Sequence, residues 1–305
     1  MSAVNDGRGH ERRHTRGMRL ATARHTPSGR ILFGAVVDDG LVDLSGAVTD
    51  QSELISMVHD SATRPAIDAA VEAAARAPLD ELTWLPPMPN PRRIMCVGTN
   101  YADHVAESDR ISAAPDHPVI FTRFPSSLVG HGEELLRPSA STNFDYEGEL
   151  GIVIGRTTRH ATQADALSVI GGFTCFMDGT LRDWQRHTSQ FLPGKSFERS
   201  GAMGPWVVTA DEIADPHALT LTTRVDGEVM QHASTSQLIH DLTAIIVYCS
   251  TFTTLEPGDV IATGTPGGVG YARDPQVWLV PGSRVEVDIS GVGVLANTVV
   301  DEPTP

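Results

Sequence analysis

The segment Asp145-Tyr146-Glu147-Gly148-Glu149-Leu150-Gly151-Ile152-Val153-Ile154 constrains this chain more than any other. Its first half alternates acids and its second half is apolar. Read as a strand, it projects Asp145, Glu147 and Glu149 from one face, about 7 Å apart in succession, and Leu150, Ile152 and Ile154 from the other. Three carboxylates on one face repel unless water solvates them or a cation bridges them. Glu is also a poor strand residue. A solvated outer face and a metal site are both open from this segment alone. A site built only from such oxygens would select a hard cation: Mg²⁺, Mn²⁺ or Ca²⁺.

The rest of the chain supplies a core around such a strand. Hydrophobic residues make up 40% of the 305 residues and charged ones 20%, a globular balance. The formal net charge of −15 argues against nucleic-acid and anionic-membrane partners. No apolar run approaches the roughly 20 residues that cross a bilayer. Cys96, Cys175 and Cys249 are odd in number and widely spaced, which fits buried thiols in a reducing cytoplasm. Residues 1–17 lack an apolar signal core and read as a disordered tail.

Residues 18–88 read as a small N-terminal α/β domain. Short strands are expected over 20–24, 30–38 and 41–44, and helices near 53–59 and 64–76. Leu85-Pro86-Pro87-Met88-Pro89-Asn90-Pro91 reads as a linker, because repeated prolines block helix and ladder alike. Residues 89–305 are strand-rich, with strands expected at 94–97, 119–122, 147–154, 170–177, 206–209, 219–225, 260–263 and 284–289. One helix stands out, through the stripe Leu238, Leu242, Ile245, Ile246, Cys249 and Phe252. The fold class is α+β and β-rich.

Further chemistry-bearing residues are scattered along this part. Asp178 ends an apolar strand, where a helix cap is the simpler reading and a ligand the sharper one. Lys195 sits in a stretch poor in other cations, and an ordinary solvated lysine is its bland reading. His104 and Glu107 are three apart, so a helical turn joins them. That is a surface pair in the plain reading and a water-activating pair in the catalytic one. The loop Thr263-Gly264-Thr265-Pro266-Gly267-Gly268-Val269-Gly270 lacks both the Walker lysine and the GxGxxG spacing.

The order of these pieces resembles the fumarylacetoacetate hydrolase family, in its branch of bacterial acylpyruvate hydrolases, oxaloacetate decarboxylases and hydroxyheptadienedioate isomerases. NYADH at 100–104, FTRFPSS at 121–127, DYEGELGIVIG at 145–155, MDGTLRD at 177–183, GKSF at 194–197, LEPGDVIATGTPGGVG at 255–270 and PGSRVEVDISGVG at 281–293 carry the resemblance. It implies a homodimer with a mixed β-roll catalytic domain. It implies Mg²⁺ or Mn²⁺ on Glu147, Glu149 and Asp178, with Ca²⁺ fitting the same donors. It implies a catalytic dyad of His104 and Glu107 on a mobile lid, Lys195 as the active-site lysine, and Arg123, Arg182, Gln185 and Thr265 along the substrate site. The chain departs from the family at Gly179, Leu181, Glu198 and the stretch 199–203.

The implied activity is hydrolysis of a C–C bond in an acylpyruvate-type 2,4-dioxo acid such as fumarylpyruvate, giving pyruvate and a carboxylic acid, within aromatic-compound catabolism. Oxaloacetate decarboxylation or isomerisation of 2-hydroxyhepta-2,4-diene-1,7-dioate would use the same site. A metal-binding scaffold is the non-enzymatic alternative.

Overall fold

The computed structural model describes residues 17–107 and 115–303; the expected tail lies outside these, apart from Gly17. A 12-stranded sheet forms the backbone of the molecule. Its centre runs Arg19–His25, Gly201–Thr209, Ile170–Met177, Gly148–Ile154, Val260–Ala262 and Ile94–Gly98. These neighbours are antiparallel except the last pair. A five-stranded sheet packs on one side, in the order Glu228–Ser234, Thr220–Val225, Arg284–Ile289, Gly293–Asp301 and Glu134–Arg137.

Both faces of the central strands are covered, which is why they read as nearly unbroken apolar runs. Leu150, Ile152 and Ile154 meet Leu221, Val285, Val287 and Leu295 between the sheets. Val153 and Phe176 face the opposite way, onto Leu20, Phe33, Leu54, Ile55 and Val58. Those residues come from the N-terminal strands and the helix Gln51–His59.

The N-terminal unit is therefore continuous with the main sheet. Arg19 pairs with Val208 and Leu20 with Val207, and one buried cluster spans both parts. The proline-rich stretch redirects the chain without separating two cores. Thr22 donates to the Pro87 carbonyl at 2.9 Å, which ties the stretch to the sheet.

Some elements differ from expectation. The helix expected over 64–76 ends at Ala73, because Arg76–Pro78 pairs with Gly40–Asp43 at the sheet edge. The later helix is Leu242–Phe252, capped by the Asp241 carboxylate on the Ala244 N–H. Leu242, Ile245, Ile246 and Cys249 are buried as its stripe demands, but Phe252 at the last turn is 55% exposed. The strands Glu228–Ser234 and Gly293–Asp301 mix polar residues with apolar ones, and periodicity did not single them out.

Gly179 is one of the positions where the chain departs from the pattern it resembles, and its packing is tight. A Cβ built there would lie 1.8 Å from the Ser200 carbonyl oxygen. Ser200 belongs to the departing stretch 199–203, in which Arg199 holds a φ of 53°. Glycine at 179 and the path of that stretch are one packing solution. Gly179→Ala should destabilise the fold by about 1–3 kcal/mol, as overpacking does. The urea midpoint reads this, and an unchanged midpoint would show that the Ser200 backbone yields without cost.

Candidate active site

The acid-rich segment is not one strand. Phe144–Asp145 pairs with Thr180–Leu181 in a separate two-stranded ladder, and Gly148–Ile154 then enters the main sheet. This corrects the expected single row of acids, since Asp145 leaves it. The antiparallel register instead sets Glu147 against Asp178, whose N–H donates to the Glu147 carbonyl at 2.8 Å. Glu147, Glu149 and Asp178 converge, each offering a carboxylate oxygen within 4.8 Å of the others, and all three are buried.

Like charges this close need compensation. Lys195 Nζ donates to Glu147 Oε2 at 2.6 Å and to Asp178 Oδ2 at 2.5 Å. Arg182 Nη2 lies 2.6 Å from Glu147 Oε1, and its Nε donates to Asp145 Oδ2 at 2.7 Å. Arg123 Nη1 donates to Asp178 Oδ1 at 2.5 Å.

Burial works to raise the Glu147 carboxyl, but Lys195, Arg182 and His104 outweigh it and bring it to about 2. Glu149 fares differently. Burial and then the charges of Asp178 and Glu147 push it well above the usual carboxylate range. Among the described residues its hydrogen-bond support is one backbone N–H, from Gly264 at 2.8 Å. Burial also opposes the Lys195 charge, and its two acids more than offset that. An all-oxygen, buried, electron-rich triad with one poorly compensated member fits a hard divalent cation.

The glycine-rich loop after Val260–Ala262 supplies the remaining support. Gly264 N–H binds Glu149, Gly268 N–H binds Glu107 Oε1 at 2.6 Å, and Gly270 N–H binds Asp145 Oδ1 at 2.8 Å. Gly268 holds a φ of 98°, and a Cβ there would strike the Met230 carbonyl at 2.1 Å. The loop cradles the protein's own carboxylates where a nucleotide loop would cradle phosphates.

A cavity of about 220 Å³ opens above the acids. His104, Glu107, Glu147, Glu149, Arg182, Gln185, Lys195 and Thr265 line it, so nearly all residues expected at the site meet there. His104 Nδ1 lies 3.4 Å from Glu107 Oε2. Thr265 Oγ1 donates to the Gly148 carbonyl at 2.9 Å, and Gln185 Oε1 accepts from Arg182 at 3.1 Å.

Asp178 and Arg123 do not line the cavity. The Arg123 side chain is 0% exposed. It sits behind Asp178, tied to Gly179 O, Ser127 Oγ and Ser200 Oγ. The resemblance set it along the substrate site; in the structure it clamps Asp178.

Sequence reasoning missed Gln231, a buried residue whose amide accepts from Gly148 N–H at 3.0 Å and donates to Thr265 Oγ1 and Pro266 O, each at 2.8 Å. It also missed Thr99, a cavity residue with a φ of 53°. β-Branched residues rarely adopt that region, and such strain gathers at functional sites.

Residues 93–300 match the family model described as fumarylacetoacetate (FAA) hydrolase, C-terminal. The chain belongs to the fumarylacetoacetate hydrolase family. The human mitochondrial oxaloacetate tautomerase is 43% identical over 225 residues, covering 73% of this chain and 71% of that protein. A mitochondrial oxaloacetate tautomerase of Xenopus laevis is 35% identical over 293 residues, covering 93% and 90%. Among solved structures, a maleylpyruvate hydrolase from a Sphingobium species, in complex with manganese(II) and pyruvate, superposes with a TM-score of 0.77 at 30% identity, covering 94% of this chain and 100% of that one. Membership of this family makes the chain an enzyme by kinship, and among the described residues no helix is long and apolar enough to cross a membrane.

Glu149→Gln keeps the shape of the triad and removes one charge from it. Mn²⁺ affinity by calorimetry should fall at least about 100-fold, the upper end of what changes outside the ligand set cost. An unchanged affinity would take Glu149 out of the ligand set.

Proposed function

We propose that this protein is a divalent-metal-dependent enzyme that moves a proton on a small 2-oxo acid, interconverting its keto and enol forms, with oxaloacetate as the first substrate to try. One observation carries the reading: the His104–Glu107 pair lines the same cavity as Glu147 and Glu149, which converge with Asp178 in the acid triad. Kinship at 43% identity to an oxaloacetate tautomerase supports it.

Glu147, Glu149 and Asp178 would hold the metal. When bound, a divalent cation supplies Lewis-acid stabilisation to negative charge on the 2-oxo oxygen. The other steps belong to the chain. With Nδ1–H directed to Glu107, the Nε2 of His104 carries the lone pair and serves as base. Glu107 steadies the imidazolium and is itself held by Gly268.

His104 takes a proton from C3 of the substrate. The C–H electron pair becomes the C2–C3 double bond, and the carbonyl pair moves onto oxygen. The Lys195 ammonium, facing the cavity, adds positive charge nearby. Return of the proton to that oxygen completes an isomerisation with nothing lost or gained.

Hydrolysis of an acylpyruvate is a second reading, supported by the maleylpyruvate hydrolase that shares the fold. There His104 would take its proton from water, hydroxide would add to the distal carbonyl, and the C–C bond would break to release pyruvate as its enolate. Both readings use one enolate and one base. Three buried free cysteines fit the reducing cytoplasm expected for either.

His104→Ala should lower kcat for oxaloacetate tautomerisation roughly 10²- to 10⁴-fold while Mn²⁺ affinity stays within about twofold. Enol absorbance follows the first reaction. Coupled pyruvate detection with fumarylpyruvate follows the second, and rapid pyruvate release beside slow tautomerisation would favour hydrolysis. Full tautomerase activity in the variant would remove His104 from the mechanism.

A further inference from the structure

Gly98 lines the cavity at the end of the strand Ile94–Gly98, and the fold does not demand a glycine there. Its φ lies outside the left-handed region. A Cβ would meet only ordinary contacts, Phe191 Cε2 and Val119 Cγ1 at 3.5 Å and Phe121 Cε1 at 3.7 Å. A glycine in a paired strand weakens it, and often marks the close approach of a ligand.

Aromatic rings bound that opening. Gly98 pairs with Val119 and Cys96 with Phe121 in an antiparallel ladder, so these four share one face. Phe121 and Phe191 meet edge to face, with centroids 5.6 Å apart. Both rings line the cavity and both are only half-buried. Lys195 Nζ lies over Phe121, 5.2 Å from the ring centroid. Since that ammonium holds Glu147 and Asp178, the corner of Gly98, Phe121 and Phe191 adjoins the acid triad.

The corner suits one part of a 2-oxo acid. The carboxylate and the 2-oxo oxygen belong with the cations and the acids. The substituent on C3 is what remains to meet the rings. Water is poorly held against apolar rings, and an apolar group that displaces it gains the burial of both surfaces. Oxaloacetate carries a charged carboxylate on C3 and gains nothing from them.

We infer that Gly98, Phe121 and Phe191 form a subsite for an apolar substituent on C3, so that the enzyme also acts on 2-oxo acids of the phenylpyruvate type. This rests on the 2-oxo acid reading above and adds a substrate class to it. The chemistry balances as before. The proton leaves C3, the C–H pair becomes the C2–C3 double bond, and the 2-oxo oxygen takes the proton.

Binding and turnover test the subsite and the reaction separately. Calorimetry on the Mn²⁺-loaded full chain compares phenylpyruvate with pyruvate, which shares the 2-oxo carboxylate and lacks the ring. The wild type should bind phenylpyruvate at least about tenfold more tightly. Phe191→Ala should cut that ratio at least about fivefold. Phe191 precedes the short helix that carries Lys195, and pyruvate as the reference corrects for any shift of that lysine. Gly98→Val, which fills the opening from the strand side, should cut the ratio in the same way.

Thermal melting shows whether each variant is folded, and Gly98→Val decides should Phe191→Ala not fold. No preference in the wild type, or a ratio kept within about twofold in the deciding variant, overturns the inference. Enol absorbance follows turnover of phenylpyruvate. Selective binding without turnover of either acid would sink the proposed reaction and leave the subsite standing. Tautomerisation of oxaloacetate without a phenylpyruvate preference would do the reverse.

Discussion

Three buried carboxylates within 4.8 Å of one another set the terms for everything around them. Burial disfavours a lone carboxylate anion, and neighbouring anions add to the cost. Glu147 and Asp178 are each held by Lys195 and by one arginine, Arg182 or Arg123. Glu149 has the weakest support, and its carboxyl is raised accordingly. The imbalance gives the site its chemistry. Full neutralisation by side chains would leave nothing for a metal to do, and no neutralisation would leave the fold unstable without one. Removing a single cation from such a network strands an unpaired buried charge, a far larger loss than the pair itself contributes.

Backbone amides carry much of the remaining support, and their source matters. One loop sends the N–H groups of Gly264, Gly268 and Gly270 to Glu149, Glu107 and Asp145. It thereby fixes the triad, the partner of the base and the partner of Arg182 relative to one another. Amide dipoles stabilise carboxylates without adding a full positive charge, so the site stays negative enough to attract a cation. Gln231 extends this scaffold by joining Gly148 to Thr265 and Pro266.

The sequence disclosed the site better than its surroundings, for physical reasons. Glu147, Glu149 and Asp178 stood out as acids beside long apolar runs, but the residues alone left a solvated face and a helix cap open, and the family resemblance grouped them. Helical spacing paired His104 with Glu107, and the resemblance supplied the role of the pair. Asp145 was misplaced because the strand is interrupted at Tyr146 and Glu147, and alternation cannot register such a break. The place of Arg123 behind Asp178 left no trace, since a cation that clamps an acid and one that faces a cavity look alike in one dimension. Gln231 and Thr99 left no trace, since a buried amide and a positive φ depend on partners distant in sequence. The N-terminal unit read as separate because prolines mark a change of course, while the pairing of Arg19–His25 with Gly201–Thr209 joins residues about 190 positions apart.

Under the proposed reading, tautomerisation, decarboxylation and C–C hydrolysis share the same developing charge on the 2-oxo oxygen, so the floor formed by the triad and Lys195 would serve all of them alike and would not choose among them. Selection must come from groups that meet the rest of the substrate. Here such groups belong to the rest of the cavity lining, Gly98, Thr99, Arg182 and Gln185 among it. The departures from family pattern at Gly179 and 199–203 lie behind this floor, where they fix Arg123 and Asp178 without touching substrate. The buried half of the site can therefore be held nearly constant while its walls change the reaction.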